Sequence, residues 1–285
     1  MLIDGLASGS TVTCAANDQV LVKSVSTTQF KLSRVKYDGT AQVGGSSVVR
    51  SARTANTILA AGDNSTLIDI TSGTFSQTFT AAATLGSGWF CYIRNSGTGD
   101  ITLDPNSTET IDALTTFIMY PGEVRLVQCT GTAFFSLLLE PGKKTFTSSG
   151  TFVFPPGLSG CRIDIWGGGG SGGGARGAGS GNTRCGGGGG GGGDRNFLVI
   201  TPPAAGTNTT VTVGAGAAGP AGGSSANGTS GSVGGTSSFG TYVYAYGGGR
   251  GLLGSNTGPG TGGGGGGATS AGGDALGGGP NMVSW

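Results

Sequence analysis

An all-β fold is what this sequence predicts, and three observations predict it. Short runs rich in Thr, Val, Ile, Phe and Tyr recur through the first half, each closed by a turn signal such as Asp104-Pro105-Asn106 or Pro121-Gly122. Helix-period patterning is almost absent, with Arg50 to Ala61 the one stretch that admits it. The second half is a glycine field: 14 of the 64 glycines precede Thr145, which leaves 50 after it. The expected architecture is a set of N-terminal attachment strands over 1–45, a small antiparallel β-sandwich module over 46–140, and a glycine-rich domain over 145–285. The charged turn Glu140-Pro141-Gly142-Lys143-Lys144 marks the joint between the last two.

Residues 1–45 alternate modestly at Thr11-Val12-Thr13, Val20-Leu21-Val22 and Phe30-Lys31-Leu32, with turns at Asn17-Asp18 and Asp38-Gly39. They read as a few short strands ending in a linker, and their expected role is attachment to a neighbouring subunit. In the module the rhythm sharpens. Strands are expected over Thr66 to Thr71, Thr74 to Thr80, Gly88 to Asn95, Ile101 to Leu103, Phe117 to Tyr120, Val124 to Cys129 and Phe134 to Leu139. Past the joint, strands through Phe152 to Phe154 and Cys161 to Trp166 deliver the chain into glycine. Further apolar runs follow at NFLVITPP, NTTVTV and FGTYVYAY.

A run of glycine loses more backbone entropy on ordering than any other sequence. At roughly 1–2 kcal/mol per residue, eight in a row cost on the order of 10 kcal/mol. Order therefore requires many hydrogen bonds to neighbours. A polyproline II-like helix has about three residues per turn and directs every N–H and C=O outward, so several side by side can bond one another where no Cβ intervenes. The runs 167–174, 186–193 and 262–267 are the expected inner polyglycine II helices. Positions 216, 219, 222, 225, 228, 231 and 234 are spaced by three and are glycine except Ser225, so they are expected to form the inward row of outer helices. A flexible linker has no reason to hold that phase. Collagen would need more proline between its glycines, and the many GxGxxG strings follow no βαβ unit.

Net charge is +1 and the basic residues are sparse, which argues against a nucleic-acid partner. No histidine is present, which removes His-based triads and imidazole metal sites. The five cysteines form no CxxC pair and are expected as free thiols. No cofactor and no metal are expected. Nothing at the N-terminus reads as a signal peptide and no apolar run is long enough to span a bilayer, so the chain is expected to be soluble and made in the cytoplasm.

Two stretches resemble a known family. The run ITSGTFSQTFTAAATLGSGWFCYIRNSGTGDITLDPNSTETIDALTTFIMYPGEVRLVQCTGTAF resembles a small β domain of tailed-phage tail-fibre and tail-tip proteins. Its marks are the aromatic strand ending in Arg-Asn-Ser-Gly, the Asp-Pro-Asn…Glu-Thr-Ile-Asp stretch and a late Pro-Gly-Glu. The layout of 145–285, glycine runs bracketed by strands in this order, resembles the glycine-rich domain of tail-fibre tips, similar to the adhesins at the ends of T-even-like long tail fibres. The resemblance implies a virion protein that binds no nucleic acid and assembles with other tail or fibre proteins as a homotrimer. It also implies that loops are presented to a bacterial surface receptor: lipopolysaccharide, capsule or an outer-membrane protein. A structural or decoration fibre protein without a receptor is the alternative, and a polysaccharide depolymerase is a third reading.

Glycine helices have no side chains to bind with, so recognition is expected at the turns Ala175 to Cys185, Leu252 to Thr261 and Ala268 to Leu276. Their candidate residues are Arg176, Asn182, Arg184, Leu252, Asn256 and Asp274. Tyr242, Tyr244 and Tyr246 alternate and share one face of a strand, where rings stack on sugars or receptor loops or else pack over the domain. For an enzyme the best carboxylate cluster is Asp104, Glu109 and Asp112, in turns that routinely carry acids. No catalytic role is expected.

Overall fold

The structure, a computed structural model, describes residues 48–177 and 183–274, and before them the backbone of three strands only. The chain divides into two compact units, Met1–Arg50 and Ser51–Trp285. In the first, β1 (Leu2–Ile3), β3 (Gln29–Lys36) and β2 (Asp18–Ser24) form a sheet in the order β1-β3-β2. β2 and β3 pair antiparallel from Asp18 opposite Lys36 to Ser24 opposite Phe30. Two of the three expected runs fall on these strands; Thr11 to Thr13 lie outside the described residues.

The second unit opens on the β module. β4 (Val49–Arg53), β5 (Thr66–Ile70), β7 (Phe90–Asn95), β10 (Val124–Cys129) and β11 (Phe134–Glu140) form a five-stranded sheet ordered β11-β10-β7-β5-β4. β6 (Phe75–Thr78), β8 (Ile101–Asp104) and β9 (Phe117–Met119) form a three-stranded one. Alternate residues of both sheets meet in one apolar cluster, with Ile68, Ile70, Cys91, Ile93 and Val127 from the larger and Ile101, Leu103, Phe117 and Met119 from the smaller. The all-β expectation and all seven strands stand. The sheets are mixed rather than antiparallel, because β5 runs parallel to β7 and β6 parallel to β8. The stretch Arg50 to Ala61 is not helical: β4 takes its start, and the Arg53 carbonyl accepts the Thr71 N–H at 2.9 Å. Among the described residues the one α-helix is the single turn Ala82–Leu85.

The expected joint at 140–144 is bridged by buried contacts. Arg125, fully buried, pairs with Glu123 and donates to Pro156 O at 2.7 Å and Ser136 Oγ at 2.8 Å. The Tyr120 ring stacks on Phe152 at 4.9 Å, while its hydroxyl donates to Val153 O and accepts from Val153 N. Burial pushes the Tyr120 phenol up to about 12.

Past the joint, β12 (Gly150–Val153), β15 (Asn208–Thr212), β16 (Ser237–Phe239) and β17 (Val243–Ala245) form a four-stranded sheet. β13 (Cys161–Trp166) and β14 (Arg195–Ile200) form a two-stranded sheet. Phe154, Ile163, Ile165, Val211, Phe239, Val243 and Ala245 are buried together in this root. From it, among the described residues, the chain runs out and back as seven extended glycine segments, here helices I (167–177), II (183–194), III (214–223), IV (228–235), V (246–254), VI (260–267) and VII (270–274).

Their hydrogen bonds recur every third residue to each neighbour. The N–H groups of Gly167, Gly170, Gly173 and Arg176 in helix I reach Asp194, Gly191, Gly188 and Cys185 of helix II, while those of Gly168, Ser171 and Gly174 reach Gly235, Ser232 and Thr229 of helix IV. Gly248, Gly251 and Gly254 of helix V donate to Gly168, Ser171 and Gly174 of helix I. That is the repeat of a three-residue turn in which each row of backbone groups serves a different neighbour, the polyglycine II arrangement. Helix III joins at Ala217 to Gly169 O and Gly223 to Ala175 O; between them stands Pro220, which has no N–H to give Gly172. Helices III, I and II make one layer, IV, V and VI the next, and VII lies against V and VI.

Two expectations about rows need correction. The run 167–174 is inner as expected, bonded to helices II, III, IV and V, but the most enclosed helix is V, which bonds to I, II, IV, VI and VII and where a Cβ on Gly248, Gly251 or Gly254 would stand 2.1–2.2 Å from the carbonyls of Gly191, Gly188 or Cys185. Helix II by contrast has an open row, since Cβ atoms on Gly186, Gly189 and Gly192 would meet nothing within 4 Å. The three-spaced series from 216 to 234 is not one inward row. Gly228, Gly231 and Gly234 are obligatory, at 1.9–2.2 Å from helix I carbonyls, whereas Gly216, Gly219 and Gly222 are exposed with no contact closer than 3.6 Å. The chain reverses between them through Ser225, at φ 59°, so the count of three continues while the facing does not.

Candidate functional site

The slab has two ends. Helices I, III and V leave strands β13, β15 and β17, and helices II and IV return to β14 and β16, so the strand root closes one end. At the other, the chain turns from I to II, from III to IV and from V to VI.

At that far end the structure joins three turns through a residue the sequence reading missed. Asn227 Oδ1 accepts from Arg176 Nη1 at 2.7 Å and from the Asn256 N–H at 3.1 Å, linking the first, second and third turns. No periodicity marks Asn227; its place in a polar Ser-Ser-Ala-Asn turn is the signal that could have found it. Arg184 is exposed beside this cluster and has no hydrogen bond or ion pair among the described residues. Asn182 lies outside the described residues. Ser255 and Thr257 hydroxyls pair at 2.9 Å and close the third turn.

Two candidates are placed elsewhere. Leu252 is not in a turn: its N–H donates to Thr261 O and its carbonyl accepts from Gly188 N, so it continues helix V. Asp274 takes Arg250 Nη2 at 2.7 Å and Nε at 3.0 Å, an ion pair between helices VII and V with both side chains partly exposed. Two of the three carboxylates of the module's cluster, Glu109 and Asp112, are engaged locally. Glu109 accepts the Ala82 N–H at the start of the single helical turn, and Asp112 accepts Ser136 N and Oγ.

The tyrosines lie at the root. Val243 and Ala245 of β17 are buried, so Tyr244 and its neighbours Tyr242 and Tyr246 take the opposite face as the alternation requires. Tyr244 and Tyr246 rings stack at 6.3 Å, while Tyr242 leans on Phe239 at 6.0 Å. Beside them the outer face of β13 and β14 carries Arg162, Asp164 and Trp166 opposite Val199, Phe197 and Arg195. Sequence reading missed this face, although Ile163 and Ile165 alternate inward between its residues. The hydrogen bond from Arg162 holds the Asp164 carboxyl below the usual range, and Arg195 adds to it.

The described cysteines Cys91, Cys129, Cys161 and Cys185 are free thiols. No group of metal-ligating side chains occurs among the described residues, and no helix among them is long and apolar enough to cross a membrane.

Fold and site together define an all-β protein whose C-terminal half is a slab of backbone-bonded glycine helices. Residues 146–283 match the family model of the glycine-rich domain. No curated protein and no solved structure matches the chain.

Proposed function

We propose that this chain is a tail-fibre or tail-tip adhesin of a tailed-phage virion, which presents the turns at the free end of its glycine slab to a bacterial surface receptor. The observation that carries this reading is the convergence of three turns at the end away from the strand root, tied through Arg176, Asn227 and Asn256 with Arg184 exposed beside them. A slab held by backbone bonds is stiff and chemically plain, so variable polar turns at its end can change without disturbing the scaffold. The glycine-rich family match supports the scaffold half of the reading, and the resemblance of the β module to tail-fibre domains supports the virion half. On that reading the first 45 residues dock to other tail or fibre proteins, and the assembly is a homotrimer.

The test is adsorption. Labelled full-length chain should bind a subset of bacterial strains, and unlabelled chain in excess should block adsorption of the phage that carries it. Arg184→Ala combined with Asn256→Ala should weaken that block at unchanged melting temperature. Folded chain that binds none of the strains such a phage infects overturns the receptor role and leaves a structural fibre component.

A further inference from the structure

The strand root carries an aromatic depression that scaffolding does not require. It is an open hollow of about 260 Å³ between β14, β17 and the bend that follows helix VI, formed by Asn196, Phe197, Tyr242, Tyr244, Tyr246 and Ala268. Phe197 is 63% exposed, Tyr242 43% and Tyr244 39%, although the apolar core lies one residue away along each strand. Large rings kept at the surface in one place mark a binding surface more often than a packing fault.

We propose that this hollow is a saccharide site, in which a pyranose ring lies with its C–H face on the aromatic side chains and its hydroxyls on the phenols. Four observations point to that chemistry. Tyr242, Tyr244 and Tyr246 line the hollow, and their phenol hydroxyls have no hydrogen-bond partner among the described residues, which leaves three donor–acceptor groups unused. Asn196 ties the hollow's two sides together: its Nδ2 donates to Tyr244 O at 3.0 Å, which links β14 to β17, and its Oδ1 accepts the Phe197 N–H at 2.9 Å within β14. The volume falls just under the roughly 300–1,000 Å³ of sites for drug-sized ligands, which suits one or two sugar rings and is too shallow for the buried anchor of a protein hot spot. The rim is cationic. Arg162 stands over the Phe197 ring at 5.7 Å and Arg195 over Trp166 at 5.4 Å, with Asp164 paired to both arginines, so an acidic sugar meets no unopposed carboxylate.

The site stands at the opposite end of the slab from the turns and is independent of them in structure. Naming a bacterial surface saccharide as its source rests on the adhesin reading. Capsular polysaccharide and the glycan of lipopolysaccharide share the required chemistry and are separated by experiment.

Full-length chain is passed over immobilised capsular polysaccharides and lipopolysaccharides in separate arms, and over whole cells in a third. At least one glycan arm should bind. Phe197→Ala or Tyr244→Ala should weaken it about tenfold, as loss of one stacked ring implies. Tyr244→Phe should retain most of the affinity and lose the hydroxyl's share, while Arg184→Ala at the far end should leave glycan binding unchanged. Melting temperatures of these surface variants should match the parent. Glycan binding that Phe197→Ala and Tyr244→Ala do not weaken overturns the site and leaves the adhesin reading intact. So does binding to cells with none to any glycan. Absence of binding in all three arms overturns both.

Discussion

Three adjacent glycines in the unbroken run 186–193 should respond to alanine in opposite directions. A Cβ on Gly189 meets nothing within 4 Å, on Gly190 it lies 2.1 Å from Gly170 O, and on Gly191 it lies 2.0 Å from Gly264 O. Relief of the clash at 190 requires helix II to part from helix I by more than 1 Å, given that ordinary contact begins at 3.4 Å. The nearest bonds across that seam, Gly170 N–H to Gly191 O and Gly173 N–H to Gly188 O, are then lost. Each contributes about 0.5–1.5 kcal/mol net, and groups left buried without partners cost about 1–3 kcal/mol more. Gly190→Ala and Gly191→Ala should therefore each destabilise by about 2–4 kcal/mol. Gly189→Ala should stabilise by about 0.4–1 kcal/mol, because alanine narrows the unfolded ensemble and fits the native backbone. For a unit of this size 1 kcal/mol shifts the melting point by about 2–4 °C. Calorimetry should then show a fall of roughly 5–15 °C at 190 and 191 and a rise of a few degrees at 189. Three equal effects, or no effect at any position as in a flexible spacer, would refute the assignment of rows.

Arg125→Met strands the Glu123 carboxylate and Pro156 O in the interior and should cost about 3–5 kcal/mol. Burial already raises the Glu123 carboxyl above 4.5 in the parent. A raised folded value means stability is fullest at low pH and is lost as pH rises through it, so the variant should melt further below the parent at pH 8 than at pH 5. Tyr120 should titrate late: with the phenol raised from 10.0 to about 12, an ultraviolet titration should show a step near pH 12. The stability that depends on its neutral form is intact below 10 and is lost as pH climbs through 12, and Tyr120→Phe should remove the late step. Asn227→Ala should leave the melting point nearly unchanged, since its bonds are exposed, yet speed amide exchange at Asn256 by severing the link between turns.

The β module was legible because its strands are short, rich in β-branched and aromatic residues, and closed by turn residues with local chemistry. Pairing direction was not. Parallel pairs β5/β7 and β6/β8 depend on which distant strands share a core, and alternation along one strand says nothing about that. The polyglycine arrangement was legible as a period. Its facing was not, because each row of a three-residue helix answers to a different neighbour. Helix V shows the limit: Arg250, Leu252 and Leu253 interrupt it, so it reads as a short run followed by a turn. Its row 248, 251 and 254 is pressed against carbonyls along the whole helix, and so are Gly247 and Gly249 at its start, whereas further on those two rows carry side chains: Leu252 is half-buried, and Arg250 reaches out to Asp274.

The site divides in the same way. That Tyr242, Tyr244 and Tyr246 lie together was legible because alternation on a strand is a local property, whereas the ion pair of Asp274 depends on a partner 24 residues away. The outer face of β13 and β14 shows how the same pattern misleads. Phe197, Leu198, Val199 and Ile200 form an unbroken apolar run, a pattern that central strands of layered folds also carry and that marks no open face. Here β14 belongs to a two-stranded sheet that packs Leu198 and Ile200 against the root core and leaves Phe197 and Val199 outside, each 63% exposed. A strand that is apolar on both faces while one face stays open has an unbalanced surface, and Arg162 and Arg195 cover its rings only in part. A buried strand needs no such arginines; a face that must stay soluble and still offer its rings to a ligand does.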